Sequence, residues 1–233
     1  SLQYISDIHL EYYTNTFPKI KEVADILCLA GDIGNPRLPN YRDFLINLHY
    51  NTNFKKVFLI TGNHEYYNST IEETNNDIAT LIDSNKLSKI SFLNNKSELY
   101  EDNLIIGSTL WSNIIHKNKK LINDFSRIKN MNVQKYNNLH HESIKFITNE
   151  IKNNQNKKII IITHHMPSYS LILPEYKRFE EYFQCFASDC DHLINEPVDT
   201  WIYGHTHMPN KTKINGVDVV CNPIGYVQKK IIY

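Results

Sequence analysis

Five short segments of the chain carry residues that can bind metal: Asp7-Ile8-His9, Asp32, Asn63-His64, His164-His165 and His205-Thr206-His207. In Asp7-x-His9 and His205-x-His207 the spacing is i and i+2, which turns both side chains to one side of an extended backbone. With Asp32, Asn63 and a histidine from the 164–165 pair, the inventory is two carboxylates, one amide oxygen and four imidazoles. That exceeds what one ion takes from protein while leaving room for water, so two metals joined by a shared carboxylate are expected.

Imidazole, carboxylate and amide donors without thiolate suit Mn, Fe, Zn or Ni as divalent or trivalent ions, with Mn favoured in vitro, and suit Ca or Mg less. Two such ions about 3.5–4 Å apart lower the pKa of a bridging water and clamp the attacking and leaving oxygens of a phosphoryl centre. The reaction this donor set fits is hydrolysis of a phosphomonoester or phosphodiester.

The ligand candidates each follow an apolar, β-branched run: Leu2 to Ser6, Ile26 to Gly31, Val57 to Gly62, Ile159 to Thr163 and Trp201 to Gly204. Such runs predict strands covered on both faces, with a shared site at their carboxyl ends. Only seven glycines occur in 233 residues, and Gly31, Gly62 and Gly204 each sit directly before a candidate ligand, where backbone must turn beside a site. Apolar residues at three- and four-residue spacing predict helices over 41–50, 70–85, 133–151 and 179–194. Further strands are predicted at 104–109, 217–221 and 229–233. The polar segment 112–132 reads either as a lid over the site or as a surface excursion.

Taken in order, Asp7-x-His9, Gly31-Asp32, Gly62-Asn63-His64-Glu65, His164-His165 and Gly204-His205-x-His207 resemble the five blocks of calcineurin-like metallophosphoesterases. The resemblance implies an α/β fold, a four-layer αββα sandwich of two mixed β-sheets flanked by helices, forming one domain over residues 1–233. It implies that Asp7, His9, Asp32 and His207 hold one metal and Asp32, Asn63, His164 and His205 the other, with Asp32 as bridge and a metal-bridging hydroxide as nucleophile. His64 resembles the family's histidine that contacts phosphate and protonates the leaving oxygen. In the fourth block His164, directly after Thr163, is favoured, with His165 as the alternative. Glu65 stands where many relatives carry Asp, a variant expected to leave metal binding untouched. Less specific matches, among them Gly107-Ser108-Thr109-Leu110-Trp111 and Cys221-Asn222-Pro223-Ile224-Gly225-Tyr226, resemble small bacterial-type members of the family.

Lys plus Arg and Asp plus Glu both number 25, so no global field favours nucleic acid or an anionic membrane. A small phosphorylated substrate is the expected partner. The four cysteines form no C-x-x-C pair, the opening residues are already strand-like and no apolar run approaches a membrane span, so a reduced, cytoplasmic protein is expected. A competing reading is a catalytically silent scaffold of the same fold, which would be expected to have lost a ligand or His64. His49, His116, His140, His141 and His192 are assigned to solvated or packing roles, with His116 able to reach substrate if its segment folds over the site. Arg37, Arg127 and Arg178 are candidates for phosphate contact or for surface ion pairs. Tyr66 and Tyr67 either wall the pocket or pack beside the strand end.

Overall fold

A computed structural model describes residues 1–14, 16–176 and 179–226. The first strands are β1 (Leu2–Ile5), β2 (Ile26–Ala30), β3 (Lys56–Ile60) and β4 (Ile90–Phe92). They lie side by side in chain order and all run parallel. Helix α1 (Pro39–Tyr50) links β2 to β3, and α2 (Ile71–Ser84) links β3 to β4. The second sheet is built from β5 (Lys96–Tyr100), β6 (Asn103–Ser108), β7 (Lys158–Thr163), β8 (Val198–Tyr203), β9 (Asn210–Ile214) and β10 (Val217–Cys221). Its order is β5-β6-β7-β8-β10-β9, with β6, β7, β8 and β10 parallel and the two outer strands antiparallel. Helices α3 (Asp124–Arg127) and α4 (Val133–Asn153) lie between β6 and β7, and α5 (Glu180–Phe186) lies between β7 and β8.

Strand alternation sorts the apolar residues into layers. Ile26, Cys28 and Ala30 of β2 and Phe58 and Ile60 of β3 pack against Ile160, Ile162, Ile202 and Val220, which places one core between the sheets. Their neighbours Leu27, Leu29, Val57 and Leu59 face Tyr41, Phe44, Leu45 and Leu48 of α1 and Ile78 of α2. On the other sheet Ile159, Ile161, Trp201 and Tyr203 face outward to Ile147 and Ile151 of α4. The result is helix, sheet, sheet, helix, the expected four-layer α/β sandwich. Of the two sheets only the second mixes strand directions among the described residues. Strands β2, β3 and β7 are apolar on both faces because they are covered on both, the reason their runs read as continuous rather than alternating.

One predicted helix is shorter than expected, and three strands appear that were not predicted. Helix α5 ends at Phe186 instead of continuing to 194, because Met166 N–H donates to the Phe186 carbonyl and Ser188 N–H to that of Met166, drawing Ala187 into an extended bridge. Strands β4, β5 and β9 were not expected: β9 (NKTKI) and β5 (KSELY) are half-exposed and lack apolar runs, and pairing with a stronger neighbour makes them strands. The predicted strand 229–233 lies outside the described residues. All four cysteines are free and buried, and among the described residues no helix is long and apolar enough to cross a membrane.

Candidate active site

The five parallel strands β1, β2, β3, β7 and β8 end on one edge, and their first residues beyond the strand supply the candidate ligands. The two i, i+2 pairs do not lie on extended backbone as anticipated. Asp7, His9, Asp32, His205 and His207 all have φ between 52° and 72°, the left-handed region that L side chains adopt at a cost of roughly 1–2 kcal/mol each. The kinks at Asp7 and His9 are held from outside: Asp7 N–H donates to the Gly31 carbonyl at 3.0 Å, His9 N–H to that of Asp32 at 3.0 Å, and Leu10 N–H to that of Ile33 at 2.9 Å. Strained backbone concentrated on ligand candidates is a feature of functional sites. Gly62 serves close approach, since a Cβ there would stand 2.6 Å from Asp32 N and 2.7 Å from His164 Nε2. Gly31 needs its glycine twice over, with φ at +80° and Gly62 N 2.6 Å from where a Cβ would sit.

Three overlapping groups form from these side chains: Asp7, His9 and His207; His9, Asp32 and His64; and Asp32, His164 and His205. Within each group one donor atom per residue lies within 4.8 Å of the others. Asp32 is central: its Oδ2 stands 3.3 Å from His164 Nε2 and 3.9 Å from both His9 Nε2 and His64 Nε2. His207 Nε2 lies 3.3 Å from Asp7 Oδ1 and 3.0 Å from His9 Nε2, while His205 Nδ1 lies 3.2 Å from His164 Nε2. The Asp7 carboxylate also accepts from the backbone N–H of His205 at 3.0 and 3.1 Å, which joins the ends of β1 and β8.

The donor set fits transition-metal cations on an observation independent of its composition. Asn63 Oδ1 and His205 Nε2 are buried with no hydrogen-bond partner among the described residues, a costly arrangement for a polar atom unless something fills it. The Asn63 amide is oriented by its other end: Nδ2 donates to Asp124 Oδ1 at 2.8 Å and to the Tyr67 hydroxyl at 3.0 Å. An ionised carboxylate only accepts, so the amide nitrogen must face Asp124 and the oxygen must face away from it. His164 is oriented in the same manner, Nδ1 against the Ala30 carbonyl at 2.9 Å and Nε2 toward Asp32. His165 is not brought to the cluster in that way, because its Nδ1 lies 3.3 Å from the Thr109 carbonyl and its Nε2 3.4 Å from the Tyr136 hydroxyl.

Three acidic residues that the sequence reading gave no role complete the site. Glu11 Oε1 meets His64 Nδ1 at 2.9 Å and His9 Nδ1 at 3.1 Å, so one carboxylate orients both rings. Its spacing was a usable signal, since Glu11 continues the i+2 register of Asp7 and His9. Glu65 is wholly buried and accepts from the backbone N–H groups of Gly62 at 2.8 Å, Ile33 at 2.7 Å and Asp32 at 3.2 Å, tying the end of β2 to the end of β3. Asp124 arrives from the segment 112–132, which is neither a bare excursion nor a separate flap. Its Ile114, Ile128 and Met131 pack with Tyr66, Trp111 and Tyr136 beside the site, and no local signal marks Asp124.

Charge and burial pull against each other here. Burial would raise the Asp32 pKa, but the His164 and His64 rings hold it well below the usual carboxylate range. Burial would lower His164, and Asp32, by charge and hydrogen bond, instead raises it to about 10. His64 behaves alike and is raised to about 9 by Asp32 and then Glu11 against the effect of burial. Burial and the neighbouring His165 and His164 hold His205 well below the ordinary histidine value, while burial followed by the Asp32 charge pushes Glu65 up to about 8. Burial likewise raises Asp124, only partly offset by the bonds from Asn63 and Tyr67.

The remaining candidates take structural positions. Tyr66 is core, its hydroxyl bonded to Thr61 and Asn75, whereas the Tyr67 ring lies 4.4 Å from that of His64 and walls the site. Arg37 pairs with Asp77 at 2.9 Å, and Arg127 lies 6.0 Å over the Tyr67 ring. Arg178 lies outside the described residues. His140 is buried against the Trp111 carbonyl, and His116 is exposed. Tyr226, unremarked in its motif, stacks at 4.4 Å on His9 and 4.5 Å from His207.

The uncharacterized protein L509 of Acanthamoeba polyphaga mimivirus is 33% identical to this chain over 263 residues, covering 98% of this chain and 92% of its own. Among solved structures, phosphopantetheinyl hydrolase from Mycobacterium tuberculosis superposes with a TM-score of 0.69 at 17% identity, over 97% of this chain and 89% of that one. The protein TT1561 of Thermus thermophilus gives 0.52 at 13% identity, over 85% and 76%. At those identities the structural likeness shows the fold, and the fold is the same sandwich. The calcineurin-like phosphoesterase profile matches residues 4–209, nearly the whole chain, and with it the protein belongs to the calcineurin-like phosphoesterase family.

Proposed function

We propose that the protein is a dinuclear metal-dependent hydrolase of small phosphomonoesters or phosphodiesters. The observation that carries this reading is the position of Asp32, whose Oδ2 lies 3.3–3.9 Å from ring nitrogens belonging to both ligand groups. Asp7, His9, Asp32 and His207 would hold one cation, and Asp32, Asn63, His164 and His205 the second. Bound there, Mn, Fe, Zn or Ni ions would activate water at neutral pH and neutralise charge on the phosphoryl oxygens. The chain's own residues supply the rest. Glu11 keeps its hold on His64 Nδ1, so Nε2 is the nitrogen that carries a proton toward the departing oxygen. Tyr67 and Tyr226 flank that ring and the His9–His207 pair. Glu65 and Asp124 bind no substrate and keep the ligand loops in place.

Calorimetric titration of the metal-free protein with Mn²⁺, followed by turnover of p-nitrophenyl phosphate and its bis ester, tests the proposal. Two equivalents of metal and metal-dependent release of nitrophenol are expected. Two bound cations with no turnover of either ester would favour the silent scaffold, and a single bound cation would reject the dinuclear reading.

A further inference from the structure

Next to the candidate metal centre lies an apolar cavity of about 430 Å³. Met166, Leu171, Ile172, Tyr182, Phe183 and Phe186 line it, and so do His205 and Thr206 from the last ligand block. The cavity is therefore continuous with the site, and the Phe186 ring stands 5.4 Å from that of His205. Apart from His205, no described lining side chain can be charged at neutral pH. Tyr176, Phe179 and Phe186 are 56%, 38% and 37% exposed, so three large aromatic side chains face solvent around one opening. A concentration of exposed apolar surface at one place marks a binding site rather than ordinary surface.

The volume decides what kind of occupant fits. Small-ligand pockets run to roughly 300–1,000 Å³, whereas protein partners are met on broader, flatter patches. His205 contacts the Asp32 group on one side and lines this cavity on the other, so a molecule with its phosphate at the cluster has its alcohol portion here. Aromatic walls favour a planar occupant, because ring edges and faces add attraction beyond area alone. Among the described lining residues only His205 can carry charge, which disfavours a charged group that would lose its hydration without compensation.

We infer that this cavity seats an uncharged aromatic group carried by the phosphate ester, and so sets which esters the enzyme accepts. The inference rests on the proposed phosphoesterase reading for the position of the phosphate, and its test reads binding, so that the two can fail separately. Calorimetry of the Mn²⁺-loaded protein would compare 2-naphthylmethylphosphonate, cyclohexylmethylphosphonate and methylphosphonate, none of which can be hydrolysed at an ester. The naphthyl compound is expected to bind at least about tenfold tighter than either of the others. Phe183→Ser and Phe186→Ser should each lower that preference by about fivefold or more, judged on variants whose melting shows them folded. Leu171→Trp, which narrows the cavity without opening a hole, should give the same loss. Equal affinity for naphthyl and methyl compounds, an equal gain from cyclohexyl, or a preference that survives all three substitutions would overturn the inference. Tight naphthyl binding by a protein that cleaves no ester would overturn the hydrolase reading alone.

Discussion

The side-chain amide of Asn63 donates to the buried carboxylate of Asp124 at 2.8 Å, across 61 residues of sequence. Asp124 also accepts from the Tyr67 hydroxyl at 2.9 Å, and it fixes which end of the amide is left for a cation. Removing it by Asp124→Ala should weaken one of the two Mn²⁺-binding steps about 10- to 100-fold, the range found for partners that orient metal ligands. Asp124→Asn, whose amide oxygen can still accept, should fall between. Calorimetric titration distinguishes these, and wild-type affinity in the alanine variant would remove the positioning role.

Asp32 and His64 are expected to separate binding from chemistry. Asp32→Ala should reduce occupancy of both cations, since its Oδ2 lies by ligands of both groups. His64→Ala should retain metal and lose turnover by about 10²- to 10⁴-fold. Elemental analysis beside ester hydrolysis reads both quantities, and equal metal loss in the two variants would reject the assignment.

Glu65 is a matter of stability. Replacing it with Ala strands the backbone N–H groups of Gly62 and Ile33 in a buried place, each at about 1–3 kcal/mol. A loss of about 3 kcal/mol in urea unfolding is expected in the metal-free protein, with Glu65→Gln losing less because its amide oxygen still accepts. An alanine variant as stable as wild type would show that water reaches those groups.

His140 gives a pH dependence away from the metal ligands. Burial, partly offset by the bond to the Trp111 carbonyl, holds its folded pKa below the unfolded value near 6.5. Between the two values the unfolded chain binds the proton and the folded chain does not, so stability rises with pH there. The contribution is complete above about 6.5 and is lost as pH falls below it. Urea midpoints of the metal-free protein at pH 7.5 and 5.5 should therefore differ less for His140→Gln than for wild type. An unchanged difference would mean that His140 is not the group responsible.

What was legible in the sequence was what short-range order encodes. Apolar runs such as Ile159–Thr163 must be covered on both faces, and polar residues that end them must lie at one edge when the strands are parallel, so Asp7, Asp32, Asn63, His164 and His205 could be named as one constellation before any coordinates. Tertiary structure alone decided which distant groups meet. Asp124 looks like any surface acid until the segment carrying it packs on Tyr66 and Trp111, and Glu65 passes for a neutral variant until the loops after β2 and β3 close around it. The left-handed turns at Asp7, His9 and His205 arise the same way, from hydrogen bonds to another strand end that outweigh a local preference worth about 1–2 kcal/mol. The break of α5 at Phe186 likewise follows bonds with Met166 of a distant loop, and spacing along a chain holds no record of any of these.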